Sequence, residues 1–425
     1  MKKVFIYAHS CKLRFLDASR IRTYFTRNNY SIINNPKDAD IIFFLGCAAI
    51  DYITNESLQR VKEFQKYDGE LIVGGCLPII ESKELANVFN GRTINTKDLD
   101  KDPDRMDELF PENTIKFRDI DDANISFSNV NEDKPVENIK KFFRNMPWVE
   151  NSYIGIKIQL LKRIMGENSF FYNVLIEEPM YRMRISWGCN CNCSYCGIKE
   201  AIGPHKSKSF EQCLGEFREG LKKGDKHFMM NADDIGAYGT DINSSFAELL
   251  DKMTSIPGDY QISIANLSPR WLIRYIDELE EIFKRGKIIR IGVPLQSGNN
   301  RILKLMNRFH DKEKITEALL RLKKAFPKLS LHTHIIVGFP TETEEDFKQT
   351  LSFLIESKLS AGQLNIFSSK AGSGAENIEP KISEDEIYQR LKYAKEFFKK
   401  AGYKVTFQDK GKVFLFDKMD SYNHN

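Results

Sequence analysis

The sequence predicts an α/β protein, with an open parallel-sheet domain followed by a partial or complete (β/α) barrel. Three observations point there. Short apolar runs alternate with helical patterns in two separate stretches, as they do where helices cover a parallel sheet. The runs are continuously apolar rather than alternating, which fits strands buried on both faces. Cysteines fall directly after several of these runs, at the strand ends where parallel sheets bind their ligands.

In the first stretch Val4–Tyr7 reads as a strand and Asp17–Asn28 as a helix. Ile41–Phe44 is the next strand, Asn55–Tyr67 a helix, and Leu71–Val73 a strand running into Gly74-Gly75. This domain is expected over residues 1–95. From Thr96 to Pro179 the alternation breaks down into charged, Asn-rich sequence, read as a linker with an added element near 137–172. Only Ile156–Ile164 there has the pattern of an amphipathic helix. The second stretch, residues 180–380, offers strands at Met183–Trp187, His227–Asn231, Gln261–Ala265, Ile288–Pro294, Leu331–Gly338 and Gln363–Ser368. Helical patterns at Phe246–Met253, Trp271–Phe283, Lys314–Ala325 and Glu344–Ile355 separate them, and six βα units in a row suit a barrel. Residues 381–425 add a helix at Glu384–Ala401 and two strand-like runs, Val405–Gln408 and Val413–Phe416, joined near Gly411.

The 425 residues allow two or three domains at roughly 150 residues each. A net charge of +4 permits nucleic-acid binding without arguing for it. The apolar run at the amino terminus is too short for a signal peptide, and no stretch approaches the roughly eighteen apolar residues of a membrane span. A reducing cytoplasm is the expected compartment. There, eight cysteines point to metal ligands, catalytic groups or core residues rather than disulfides.

Cys189, Cys191, Cys193 and Cys196 crowd into eight residues just after the first barrel strand. Cys189, Cys193 and Cys196 are separated by three residues, then two. Soft thiolates so spaced can wrap an iron–sulfur cubane and leave one iron open for chemistry. Zinc is the rival, with Cys191 or His205 as a fourth ligand. Cys191 is read as a non-ligand. Cys11, Cys47 and Cys76 each follow a strand-like run of the first domain, so they would meet at one sheet edge. Any one of them alone would be an ordinary buried cysteine; together they suggest a second three-cysteine cluster.

The pieces HSCKLRFLDASR, ADIIFFLGCAAI and IVGGCLPII resemble the three cysteine motifs of the amino-terminal methylthiotransferase domain. The loop GCNCNCSYCGIKEAIGPHKSKS, with Tyr195 before its last cysteine, resembles the cluster loop of the same family and of the radical S-adenosylmethionine superfamily. NADDIGAYGTD, PLQSGNNRILKLMNR, HIIVGFPTETEEDF and LNIFSSKAGSGA continue the likeness in the family's order. The resemblance implies a flavodoxin-like first domain and a radical barrel. It also implies two 4Fe–4S clusters, one on Cys189, Cys193 and Cys196 and an auxiliary one on Cys11, Cys47 and Cys76. S-adenosylmethionine would then serve both as methyl donor and as radical source. By position, Tyr195, Asn231, Asp233, Asp234, Gln296, Ser297, Gly298, Arg308, Ile336 and Gly338 are its candidate contacts, with Arg308 expected to pair with its carboxylate.

The chain departs from the family's pattern in three places. Ala201-Ile202-Gly203 replaces an Arg-Gly pair, the linker is long, and residues 404–425 hold at most a hairpin where a TRAM barrel is usual. The expected substrate is therefore a peptide or protein, such as a ribosomally made precursor, with transfer RNA as the alternative. An electron donor such as flavodoxin or ferredoxin is expected, and no membrane. Arg390, Lys392, Lys395, Lys399, Lys400 and Lys404 form a basic run that either meets phosphates or is simply solvated. Two further alternatives are a radical enzyme whose auxiliary cluster transfers no sulfur and a zinc-binding protein without activity. Cobalamin-dependent methylation lacks support, since no Asp-x-His-x-x-Gly motif occurs in the first domain.

Overall fold

The computed structural model describes residues 1–9, 11–124, 180–308, 311–408 and 413–418. The expected element near 137–172, the helix at 156–164 and the join at Gly411 lie outside the described residues. The first domain is a five-stranded parallel sheet of β1 (Lys3–His9), β2 (Ser31–Ile33), β3 (Ile41–Gly46), β4 (Glu70–Gly75) and β5 (Thr93–Asn95). Its order is β2-β1-β3-β4-β5, the doubly wound arrangement. Ile6 and Phe43 face α1 (Lys12–Arg27), while Phe44 and Val73 face α2 (Asp51–Phe64) on the other side. Both faces are thus dry, which is why the strands read as unbroken apolar runs.

The expected linker starts later than residue 96. After the short helices α3 (Leu77–Ile80) and α4 (Ser82–Ala86), the chain forms α5 (Thr96–Lys101) and α6 (Asp104–Leu109). Leu99, Met106, Phe110, Phe117 and Ile120 pack onto the α1 face of the sheet. The Arg20 guanidinium donates to the carbonyls of Leu99, Phe117 and Ile120 and ties them down. Few apolar residues set among many charges hid this segment in the sequence.

The barrel strands are β6 (Tyr181–Arg184), β9 (His227–Asn231), β10 (Gln261–Ile264), β11 (Ile288–Gly292), β12 (Ser330–Val337) and β13 (Ala361–Ile366), all parallel. A small antiparallel pair, β7 (Ser186–Trp187) and β8 (Lys206–Ser207), brackets the cysteine loop and the short α7 (Lys199–Ile202). The covering helices are α8 (Phe210–Lys222), α9 (Phe246–Thr254), α10 (Pro269–Arg274), α11 (Ile276–Phe283), α12 (Asn300–Leu305), α13 (Lys312–Ala325) and α14 (Glu344–Glu356). Several start at a side-chain cap; Thr343 and Asp346 of α14 form a reciprocal capping box. Helix α15 (Glu384–Lys400) then leads to β14 (Tyr403–Gln408) and β15 (Val413–Lys418).

The sheet order is β14-β15-β13-β12-β11-β10-β9-β6, so among the described residues the barrel is partial, with β6 and β14 at its open edges. The expected terminal hairpin is no separate unit. It extends the barrel sheet antiparallel to β13, and Phe398, Phe414 and Phe416 join the barrel core. Among the described residues no helix is long and apolar enough to cross a membrane.

Candidate functional site

The first cysteine trio is assembled by the sheet. β1, β3 and β4 lie side by side and run the same way, so their carboxyl ends share an edge. Cys11 is the residue before α1, Cys47 follows β3 and Cys76 opens α3. The strand order reverses between β1 and β3, which opens the crevice where such sheets take ligands. Gly75 allows the close approach: its φ is +93°, and a Cβ there would stand 2.5 Å from the Gly46 carbonyl oxygen. The Cys76 N–H donates to that same oxygen at 3.1 Å. Ser57 steadies Cys47, its hydroxyl accepting from the Cys47 N–H and donating to the Cys47 carbonyl. Burial pushes the Cys76 thiol up to about 12, and the Arg14 guanidinium pulls it back. The sulfurs of Cys47 and Cys11 act on it too, so the three share one electrostatic neighbourhood.

The second trio is assembled locally. Gly188 heads the loop at φ +70°, and a Cβ there would stand 2.1 Å from the Pro204 carbonyl oxygen. Its N–H donates to Asp233 at 2.8 Å. Ser194 and Asn307 staple the loop to the end of α12, through the Leu305 carbonyl at 2.7 Å and the Asn192 carbonyl at 2.7 Å. Cys191 turns its thiol toward Asp234 at 3.5 Å, and Cys189, Cys191 and Asp234 bring their ligand atoms within 4.8 Å of one another. Hydrogen bonding to Cys189 and burial push the Cys191 thiol up to about 12. Cys193 and Cys196 are raised as well, through a hydrogen bond to Cys191 and through burial respectively. His205, the other candidate zinc ligand, is committed through Nε2 to Ser207 at 3.1 Å and lies outside that group.

Both trios fit a four-iron cluster. Each offers three soft sulfurs, and each has a guanidinium beside it, buried in the first and half-buried in the second, to balance thiolate charge. Arg14 serves the first trio, and Arg308, 3.6 Å from the Cys193 sulfur, serves the second.

The other candidate residues fall into two groups. Tyr195, Asn231, Asp233, Asp234, Ile336 and Arg308 surround the loop or the strand ends below it. The Tyr195 ring packs with Ile302, Met306 and Phe339, and burial raises its hydroxyl. Asp234 pairs with Arg270 at 2.7 Å and accepts from the Trp271 indole at 3.3 Å, while its Oδ1 stays buried without a partner. Arg308, expected on a cofactor carboxylate, donates to the Pro294 carbonyl and the Cys193 sulfur, with its Nε left over. Ser297, Gly298 and Gly338 pack in the barrel wall, and Gln296 joins it through its backbone. Gln296 bridges β12 through His334 and Ile336. Ser297 is fully buried against Thr350, and a Cβ on Gly298 would strike Phe353 at 2.6 Å. The Gly338 N–H donates to Glu342, and a Cβ there would meet Ile387 at 2.5 Å. Cys213 sits in the barrel core, away from the loop.

Buried charges join the two sites. Arg184 on β6 is 1% exposed and reaches across to Asp17 of α1 at 2.6 Å, Asp100 of α5 at 3.2 Å and the Leu13 carbonyl at 2.8 Å. Lys208 pairs with Asp122 at 3.2 Å and Glu216 at 2.9 Å. On the opposite flank Lys370, after β13, is also 1% exposed and holds Asp51 at 2.8 Å, Thr54 at 3.2 Å and Glu81 at 3.0 Å. Asp51 and Thr54 belong to the helix after Cys47, and Glu81 closes the helix after Cys76. Sequence reasoning missed Arg14, Arg184, Lys208, Arg270 and Lys370. Their one signal was position: Arg14, Lys208 and Lys370 fall inside the motif-like pieces.

Beside this junction lies a cavity of about 610 Å³, lined by Ile50, Asp51 and Tyr52 at the start of α2 and by Phe367 and Ser368 after β13. Ile50, Tyr52, Phe367, Ile387 and Tyr388 supply its apolar wall, and Asp51, Glu384 and Asp385 its charge. No Lys or Arg is among its lining residues. Within the basic run on α15, Arg390 is buried on Glu342 at 2.7 Å and so is unavailable to a phosphate.

Comparison with known proteins agrees with this geometry. Residues 183–354 match the radical SAM superfamily, and residues 3–94 match the uncharacterized protein family UPF0004. The chain is 26% identical over 358 residues to a probable threonylcarbamoyladenosine tRNA methylthiotransferase of Pyrococcus horikoshii, spanning 83% of this chain and 74% of that protein. It is 29% identical over 401 residues to the ribosomal protein uS12 methylthiotransferase RimO of Natranaerobius thermophilus, spanning 92% and 81%. Among solved structures it is similar in fold to the radical S-adenosylmethionine methyltransferase TsrM of Kitasatospora setae, with a TM-score of 0.58 and 9% identity over 100% of this chain and 89% of that one.

Proposed function

This chain belongs to the radical S-adenosylmethionine methylthiotransferase family, and on that premise we propose that it places a methylthio group at an unactivated C–H bond of a polypeptide. The family works with two 4Fe–4S clusters and S-adenosylmethionine. When bound, these groups supply hydrogen abstraction at the acceptor carbon and the methylthio group that replaces the hydrogen. Cys189, Cys193 and Cys196 are assigned to the radical cluster, and Cys11, Cys47 and Cys76 to the auxiliary one. The observation that carries the reading is the pair of trios at the carboxyl ends of two sheets, joined across one interface by Arg184 and Lys370.

The chain's own residues have distinct tasks in this account. Asp233 and the Ser194 hydroxyl hold the loop in shape. Arg308 keeps positive charge at Cys193. Asp234, with an unpartnered buried oxygen, is assigned to the cofactor's amino group. The buried ion pairs keep the acceptor carbon within reach of both sites during one visit.

A polypeptide acceptor is favoured by the cavity lined by Ile50 and Tyr52: Asp51 there is paired with Lys370, but Glu384 and Asp385 have no Lys or Arg beside them in the lining and would repel a phosphate backbone. Transfer RNA is the competing acceptor, on the names of relatives such as that of Pyrococcus horikoshii. Mass spectrometry of cell peptides and of digested transfer RNA, from strains with and without the gene, decides between them. A peptide-borne methylthio group that vanishes in the deletion strain is the expected result. Loss of methylthioadenosine instead would overturn the polypeptide reading.

A further inference from the structure

One buried cation stands between the two cysteine sites. Arg14 lies in the first turn of α1, three residues after Cys11, and is 1% exposed. One of its nitrogens is 2.8 Å from Asp17, and another is 3.9 Å from Asp233, the carboxylate that holds Gly188 at the head of the barrel loop. The contact with Asp17 is close but not aligned, so that nitrogen is left without a hydrogen-bond partner. Asp17 is also shared, since it accepts from Arg184 at 2.6 Å. Apart from Asp17 and Asp233, the groups acting most on Arg14 are the sulfurs of Cys11 and Cys76. Arg14 is in turn the foremost charge acting on Cys76. A buried guanidinium with only part of its charge matched by carboxylates is stable when anionic sulfur completes the balance.

We infer that Arg14 is a positioning and charge-setting residue that raises the reduction potential of the auxiliary cluster held by Cys11, Cys47 and Cys76. This rests on the reading of that trio as a cluster site. A fixed positive charge in a dry site favours the more negative, reduced form of a neighbouring cluster, and salt screens it little. Arg14 also reaches Asp233 beside the barrel loop, whose own cation is Arg308, so the effect on the auxiliary site has to be read with the loop cluster removed.

The test is a redox titration followed by electron paramagnetic resonance on the anaerobically reconstituted full chain. Titration in a Cys189/Cys193/Cys196→Ala background leaves the auxiliary cluster as the signal. R14Q is expected to shift the reduction equilibrium about tenfold toward the oxidised form, roughly 59 mV lower for a one-electron couple. R14K keeps the charge and should stay near the parent value. If R14Q does not load iron, R14Q/D17N is titrated in its place, with a smaller shift in the same direction expected because the lost carboxylate offsets part of the lost cation. That variant removes the carboxylate left short of its cation, and Asp17 is not among the main charges acting on Cys76. An unchanged potential in the neutral variants overturns the role of Arg14, as does a fall in R14K as large as in R14Q. Cluster loss in all three variants makes Arg14 structural alone and also overturns it. No cluster in the parent background overturns the reading of the trio itself, and this inference with it.

Discussion

The two cysteine trios are built in opposite ways. Cys189, Cys193 and Cys196 sit in one loop, whose shape comes from the positive-φ glycines Gly188 and Gly203 at its two ends and a few staples. Cys11, Cys47 and Cys76 span 66 residues and meet only because β1, β3 and β4 end together. The first arrangement depends on local backbone chemistry and the second on a folded sheet. The loop site should therefore tolerate strain in the first domain, whereas the sheet-edge site should not. The ion pairs of Arg184 and Lys370 then make the pair of sites one unit, because each crosses from the barrel to a helix beside an auxiliary cysteine.

The largest expected effects come from removing either trio. Replacing Cys189, Cys193 and Cys196 by Ala should abolish reductive cleavage of S-adenosylmethionine, measured as 5′-deoxyadenosine. Replacing Cys11, Cys47 and Cys76 by Ala should keep that cleavage and abolish methylthio product. If both variants lose cleavage alike, the two sites are not separable.

Next in size is Arg184→Met. It leaves Asp17, Asp100 and Asp122 buried without their shared cation, and removing one partner of such a pair costs about 3–5 kcal/mol. Chemical denaturation should show that loss, with iron released from the sheet-edge site before the loop site. Equal release from both would contradict the proposed difference in construction.

Mild acid should act on the barrel rather than on the first sheet. Burial, with Arg290 nearby, holds the His332 imidazole down to about 3. Its unfolded value is higher, so the unfolded chain binds the extra proton and the folded barrel does not. The stability contributed by neutral His332 is complete above the unfolded value near 6.5 and is lost progressively as pH falls toward 3. Between pH 7 and 5 that amounts to about 2 kcal/mol, and a His332→Gln variant should lose this part of the pH dependence. A parallel pH profile in the variant would remove His332 as the cause.

The smallest effect expected is at a helix cap. Thr343→Ala removes the hydroxyl that caps α14 and should cost about 1 kcal/mol in thermal or denaturant unfolding. It should leave both clusters in place, because α14 lies behind Ser297 and Gly298 rather than at either trio.

The sequence made the chemistry legible wherever one short motif carried it. The x3–x2 cysteine spacing, the strand-end positions of Cys11, Cys47 and Cys76 and the order of the motifs could all be read directly. Three-residue strands such as β2 and β5 were not visible, since hydrogen bonds to a neighbour define them and not any pattern of their own. The helix at Phe210–Lys222 went unread, as did the packing of Leu99, Met106 and Phe110 among charged neighbours. Arg184 and Lys370 drew no reading of their own, because a buried cation is recognised only through partners more than 80 residues away. Ser297 and Gly298 show the converse. Their motif suggested a ligand contact, and it gave no sign of the packing both make against Thr350 and Phe353.

The central claim is that two separate trios each hold one cluster. Iron and sulfide counting after anaerobic reconstitution tests it most directly, on the wild type and on the two triple-alanine variants. The account predicts two clusters in the wild type and one in each variant, with different spectra for the two that remain. A wild type that holds a single cluster, or two variants that lose the same one, would contradict it.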